Sequence, residues 1–442
     1  MNAAIRQRFA LAFLPVLLFA LFNNAFQARA QTSLSREDES FLEDLERRAF
    51  QFFIDHADAE TGLVLDRAGA DGAAHGPGHA SYRVASSAST GFGLTALCVA
   101  AERDWLPRAE ARARVLKTLD FYARRAAHER GWFLHWSDAR TGERRWNSEY
   151  SSIDTAILLA GVLTARGYFQ NDAEVARLAT GIYGRVDFRW MLAGHPSRLS
   201  HGWRPETGFI PSRWDTFSEH LVLQLLAVGS PAHPIPASAW RAWSRERITY
   251  AGYTYVTGGP LFVHQYSHAW VDFRGRREAW YPFTDYFENS VAATRAHRQF
   301  CIDLGREFPG YTAEVWGITA SDSARGYVAW GGPPRHPDID GTVVPAAAAG
   351  SLMFTPDISL RALRAMKEKY GARVYGRYGF TDAFHPTNGW TGPDVIGIDL
   401  GITLLSAENL RGGNVWRWFK RSPEIARALD EVGLRRAGVE RQ

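Results

Sequence analysis

Two kinds of apolar pattern alternate along the chain. The first is amphipathic. From Ser35 to His56 (SREDESFLEDLERRAFQFFIDHA) a capping serine and early acids precede apolar residues at Phe41, Leu42, Leu45, Phe52 and Phe53, which predicts a helix with one buried face. The second is apolar or small on nearly every side, as in SSASTGFGLTALCVAAE from Ser86 to Glu102. A helix without a polar face is buried all round. Segments of this second kind recur at Ser86, Ser151 (SSIDTAILLAGVLTA), Asp215 (DTFSEHLVLQLLAVG), Phe287 (FENSVAATRAHRQFC), Pro345 (PAAAAGSLMF) and Asp399 (DLGITLLSAENL), roughly 63 residues apart on average. Amphipathic segments lie between them: Pro107 to Glu129, Asp172 to Val186, Pro236 to Arg245, Pro356 to Tyr370 and Pro423 to Val432.

An inner helix followed by an outer one, six times over, predicts an all-α fold, an (α/α)6 toroid or barrel. The fifth unit departs from the pattern, since no helix is evident after Trp316. Parallel inner helices bring all their N-termini, and the loops that precede them, to one end. Convergent loops and positive helix ends make that end the expected site. A β-rich stretch from Gly252 to Phe273 (GYTYVTGGPLFVHQYSHAWVDF) predicts a short hairpin patch over the same mouth.

The first thirty residues follow neither pattern. Arg6 and Arg8, an apolar run from Phe9 to Phe22, and Ala28-Arg29-Ala30 predict a secretory signal peptide over residues 1–30, one domain over residues 31–442, and a periplasmic or secreted location. The run is too short, and broken by Pro15, to predict a permanent membrane span. The formal charge of +4 falls to +1 beyond residue 30, because Arg6, Arg8 and Arg29 are removed and no acid is. Basic residues are scattered and offset by acids, so no nucleic-acid partner is expected. Cys98 and Cys301 lie in apolar helical contexts and are expected as buried free thiols.

The candidate chemistry sits in the loops. The stretch HGWRPETGFIPSRWDTFSEH, His201 to His220, sets Trp203, Phe209 and Trp214 among Glu206, Asp215 and Glu219. Aromatic faces beside carboxylates suit a sugar ring, and cleaving a glycosidic bond needs a proton donor and a base; the plainer alternative is a surface loop covering a helix end. Pro205 and Gly208 fix the backbone around Glu206, and flanking rings predict a raised pKa for this carboxyl, as a general acid requires. Asp215 and Glu219, four apart on a predicted helix, share a face and could hold hydroxyls. RRWNSEYSSIDTA supplies Glu149, a sugar contact or a partner of Arg144 or Arg145, and Asp154, a contact or a helix-capping acid. His264, Gln265 and Tyr266 read as hydroxyl contacts. His264 and His268 are four apart, but Gln265 stands where zinc hydrolases have Glu, so neither a metal nor another cofactor is expected. Asp285 and Glu288 start a helix and could be caps. Asp399, in a run otherwise apolar, needs a partner or a purpose and reads as a base opposite Glu206.

The runs WNSEYSSIDTAILLAGVLTA, HGWRPETGF, GGPLFVHQYSHAWVDFR, DYFENSVAATRAHRQFC, EVWGITASD and GIDLGITLLSAENLR resemble the bacterial glycoamylase-like family that includes the endo-β-1,2-glucanases of glycoside hydrolase family 144. The resemblance spans about Phe41 to Leu434. It implies an (α/α)6 barrel, metal-free inverting hydrolysis of β-1,2-glucan, the acid and base at Glu206 and Asp399, and subsite contacts at Glu149, Asp154 and Gln265. The expectation is therefore a β-1,2-glucanase whose partner is a glucan or oligosaccharide and whose products include sophorose. The alternatives are a hydrolase, transglycosylase or lyase for another glycan, or a noncatalytic glycan-binding protein.

Overall fold

The computed structural model describes residues 34–257 and 259–436, so the expected signal peptide lies outside the described residues. Two units are distinguished, Met1–Phe41 and Leu42–Gln442. Of the first, residues 34–41 are described and contain the opening of helix α1 (Arg36–Asp55). The second holds everything else.

The second unit is helix-rich. Its helices are α2 (Ser87–Glu102), α3 (Arg108–Arg124), α4 (Ser152–Tyr168), α5 (Ala173–Gly184), α6 (Leu221–Gly229), α7 (Tyr266–Trp270), α8 (Tyr286–Leu304), α9 (Pro345–Ala349), α10 (Pro356–Tyr370), α11 (Gly397–Arg411), α12 (Asn414–Phe419) and α13 (Pro423–Glu431). Helix α2 is buried from Ser87 to Ala101, as a segment without a polar face must be. It packs most extensively on α4 and also on α11, and α4 packs on α6. Two glycines permit the closest approach: a Cβ at Gly91 would overlap the backbone of Ile157, and one at Gly161 would overlap that of Gly91. The amphipathic helices form a second layer, with α3 on α2, α5 on α4 and α13 on α6. Trp132, Trp240, Trp270, Trp316, Trp330 and Trp418 are wholly buried, each removing on the order of 150–250 Å² from water.

Several elements differ from the sequence pattern. The third inner helix starts at Leu221, six residues after Asp215, because residues 215–220 are held as loop: Asp215 O accepts the Ser244 N–H (2.7 Å) and Thr216 bridges to Ser244. Its expected outer partner is only a 3-10 turn, Ala237–Arg241. Between Leu304 and Pro345 the chain has no helix, in line with the irregular fifth unit. The β-rich stretch forms a hairpin of Arg247–Tyr250 with Tyr253–Val256, but its second half is helical, a 3-10 turn at Leu261–His264 running into α7. The hairpin packs through Tyr255 on Ala293 and Ala296 of α8. Cys98 and Cys301 are buried free thiols, as expected.

Short strands lie at the N-terminal ends of the inner helices. Asp394–Ile396 pairs with Arg67–Gly69, Leu65 bridges to Ala85, Val84–Ser86 pairs with Trp136–Asp138, Leu134 bridges to Tyr150, and Tyr150–Ser151 pairs with Gly202–Arg204, which pairs with Gly208–Phe209. The segments entering α2, α4 and α11 are thus laced together at one end.

Candidate active site

That lacing carries the chemistry. Ser86 and Ser151 cap α2 and α4 through their hydroxyls, so both helices start at this end. Asp154 completes a reciprocal cap: it donates its N–H to Ser151 Oγ (3.2 Å) and accepts that hydroxyl on Oδ2 (2.6 Å). Its other oxygen lies 3.4 Å from His135 Nε2, while His135 Nδ1 is 3.0 Å from Glu149 Oε1. The imidazole also stacks on Trp136, whose indole N–H donates to Asp66 (3.1 Å).

This arrangement sets the protonation states. Burial alone would lower His135, but Asp154 and Glu149 outweigh it and hold the imidazole above its ordinary pKa. Burial alone would raise Glu149, but His135 and Arg204 bring it down to about 2. Burial raises Asp154, with His135 offsetting only part. Ligand atoms of His135, Glu149 and Asp154 lie within 4.8 Å of one another, the one such group among the described residues. Each ring nitrogen already meets a different carboxylate, and a single ion could take only one of them. The geometry is that of an imidazolium held between two acids.

A second cluster gathers four distant segments. Arg67 reaches Asp66 (3.2 Å) and Asp322 (2.9 Å) and lies 3.9 Å from Asp394, which is also met by His75 (3.2 Å). Asp322 donates its N–H to Asp382 Oδ2 (2.7 Å), and the Asp382 carboxyl contacts that of Asp399, in the first turn of α11. Asp399 is 7% exposed and Asp382 3%. Burial pushes Asp399 up to about 7, with Asp382 lowering it and Asp322 raising it. Tyr266, Tyr327, Asp66 and Arg67 also act on this pair.

Glu206 differs from expectation. It is exposed, and Arg144 grips it with two bonds, Nη1 to Oε1 at 2.5 Å and Nη2 to Oε2 at 3.1 Å. The guanidinium holds Glu206 below the usual carboxylate range, so the raised pKa expected from flanking rings is absent. Glu149 likewise pairs with His135 and Arg204, not with Arg144 or Arg145; Arg145 meets Asp138 instead. Trp203 packs on Tyr150 and Trp190 with part of its ring exposed. Trp214 is buried between His201 and His220 and donates to Ser152 Oγ (2.9 Å).

Other expected contacts are corrected. Asp215 and Glu219 share no helical face, since both precede α6; Asp215 is exposed. Glu219 is partly buried, its carboxylate accepting from Ser218, and burial raises its pKa. His264 is buried and pushed down to about 3 by desolvation. Gln265 is buried too, donating to Ala347 O (2.9 Å) and Ser351 Oγ (2.8 Å). Ring and amide both lie among packed side chains. His268 is equally buried, with Ser290 Oγ at 3.2 Å. Tyr266 is buried as well, and burial, then the charge of Asp399, raises its hydroxyl. Asp285 caps α8, accepting from the N–H groups of Phe287 and Glu288. Sequence reasoning missed His135, Asp66, Arg67 and Asp382; it had marked Arg144 only as a partner for Glu149, and Asp322 only as the end of EVWGITASD.

Comparison with known proteins gives similarity over most of the chain. The family model described as "Putative glucoamylase" matches residues 211–423. The chain is 27% identical over 93% of its length to an exo β-1,2-glucooligosaccharide sophorohydrolase (non-reducing end) of Parabacteroides distasonis, and spans 60% of that relative's length. The endo-β-1,2-glucanase of Chitinophaga pinensis, solved with sophorotriose and glucose, superposes with a TM-score of 0.83 at 28% identity, covering 91% of this chain and 99% of that one. An endo-β-1,2-glucanase of Talaromyces funiculosus, at 13% identity and a TM-score of 0.64 over 89% of each chain, shares the fold. In sequence and fold the chain is thus similar to the glycoamylase-like family and to the bacterial β-1,2-glucanases.

Proposed function

We propose that the chain is a glycoside hydrolase that cleaves β-1,2-glucan with inversion, releasing short oligosaccharides such as sophorose. The reading includes a single (α/α)6 toroid from about residue 31 onward, behind a signal peptide that directs it to the periplasm or outside the cell. It calls for no metal or cofactor, and for no partner besides the glucan. The observation that carries it is the pair of unlike carboxyls at the laced end: Asp399 buried and poised near neutrality, Glu206 exposed on a loop with Trp203, in a chain similar over most of its length to β-1,2-glucanases.

A general base works best with a pKa near the operating pH, and Asp399 meets that condition. In the proposed reaction Asp399 takes a proton from water, the water oxygen bonds to the anomeric carbon, and the glycosidic C–O bond breaks as the leaving oxygen takes a proton from Glu206, directly or through a substrate hydroxyl. Glu206 must be protonated to do so, which requires substrate to displace Arg144. Trp203 offers a partly exposed ring for stacking. Glu149 and Asp154, fixed by His135, present acceptors to sugar hydroxyls, and Trp214, Asp215, Glu219 and Tyr266 line the approach.

Incubating the protein with β-1,2-, β-1,3-, β-1,4- and α-linked glucans and resolving the products tests the reading. Cleavage confined to the β-1,2 polymer, with the fresh anomer inverted by NMR, is expected. Cleavage of another linkage, retention of configuration, or binding without products would overturn it.

A further inference from the structure

Buried acids elsewhere in the protein are paired with cations. At the opposite ends of α2 and α11, Glu408 meets Arg103 (2.8 Å) and Glu46 meets Arg411 (2.9 Å). Asp382 is different. Its Oδ2 accepts the Asp322 N–H, but Oδ1 is buried and receives no hydrogen bond from a donor among the described residues, and what the carboxyl meets is a second carboxyl, Asp399. The two line a cavity of about 10 Å³ with Thr381, Thr403 and Tyr378, space for about one water. Two carboxyls in hydrogen-bonding contact satisfy each other only if one of them carries a proton, since two carboxylates offer no donor and repel.

We propose that Asp382 is a positioning residue for Asp399: it keeps the proton shared by the two buried carboxyls and donates it as a hydrogen bond, leaving Asp399 anionic with an oxygen free to take a proton from water. The inference rests on the reading of Asp399 as base. The environment favours this division. Asp382 is the more deeply buried, and burial, then Asp399 and Asp322, raises its pKa well above the ordinary value. Asp399 has the Asp382 donor and the Arg67 charge to stabilise its anion. The other groups facing the pair are Asp66, Asp322, Tyr266 and Tyr327, with Asp394, His75 and Glu219 behind them.

Asp382→Asn keeps size, an acceptor for the Asp322 N–H and a permanent donor for Asp399. It is expected to retain turnover of β-1,2-glucan within about fivefold, with the acidic limb of kcat displaced by less than about half a pH unit. Asp382→Ala removes the donor, so the limb should move up by about one unit, a loss of roughly tenfold at the acid end. Asp399→Asn, measured in parallel, should be inactive. An Asp382→Asn variant as inactive as Asp399→Asn would overturn the proposal, and so would an unmoved limb in Asp382→Ala. If the alanine variant fails to fold, the asparagine variant decides alone. A fully active Asp399→Asn would instead overturn the reading of the base, and the pairing with it.

Discussion

Arg144 closes on Glu206 with both terminal nitrogens, at 2.5 and 3.1 Å, while two backbone carbonyls, Ser148 O (2.5 Å) and Asn147 O (2.8 Å), hold the guanidinium from behind. The proposed proton donor is therefore anionic when the site is open. Substrate has to exchange this ion pair for contacts of its own before Glu206 can carry a proton.

The first prediction follows from that exchange. In Arg144→Met the carboxyl loses the charge that lowers its pKa, so more of the enzyme has Glu206 protonated at a given pH. At and above neutral pH kcat/KM should therefore rise by about three- to tenfold. An unchanged kcat/KM there would show that Glu206 is not the donor.

Substituting the acids themselves should be far more costly. Glu206→Gln and Asp399→Asn are each expected to cut kcat by about 10²–10⁴-fold, with glucan still bound by the folded protein. A residue that only binds sugar would raise KM more than it lowers kcat. In the substrate complex, with Arg144 displaced and Glu206 protonated, kcat should fall as pH drops through about 7, where Asp399 takes up its proton.

The imidazolium clamp makes a stability prediction with a definite sign. His135 has a folded pKa above its ordinary 6.5, so its contribution is complete below pH 6.5 and is lost as pH rises through the folded value. His135→Gln should therefore lower stability by about 1–3 kcal/mol near pH 5.5 and by less at pH 9, as read from denaturant midpoints at both pH values. The same clamp bears on metals, since both ring nitrogens are already engaged. EDTA should leave the rate unchanged; a loss that zinc or calcium restores would recast His135, Glu149 and Asp154 as ligands.

What could be read from the sequence depended on how local the signal was. Helices α2, α4 and α11 announce themselves because burial on nearly every side leaves no continuous polar face. Asp399 stood out for a related reason, an acid between Ile398 and Leu400 with glycines on either side. The false helical pairing of Asp215 with Glu219 arose because residues 215–220 carry helix-compatible spacing, yet their backbone is tied to Ser244, a contact 28 residues away that no window detects. The partners of Asp399 were illegible for a related reason. Asp66, Asp322 and Asp382 come from segments spread over some three hundred residues and meet only through the lacing. His135 lacked any motif, and its role depends on Glu149 and Asp154 approaching opposite edges of one ring.

Gln265 provides the sharpest separation between a sugar contact and a structural amide. Resemblance to the family points to substrate, whereas its side chain is 1% exposed and its amide nitrogen serves Ala347 O and Ser351 Oγ. Those bonds tie the end of the 3-10 turn before α7 to α9 and the turn after it, so their loss acts on packing. Gln265→Ala should lower stability by about 1–3 kcal/mol, the cost of unmade buried hydrogen bonds, and the cavity left behind would add to it. KM for β-1,2-glucan should change by less than about twofold, because no substrate contact is removed. Trp203→Ala serves as the counterpart: its ring is partly exposed at the site, so it should raise KM by about tenfold, in line with the 1–3 kcal/mol of a lost stacking face. If Gln265→Ala instead raised KM and left the denaturant midpoint in place, the amide would have to leave the Ala347 and Ser351 bonds and turn into the site when glucan binds.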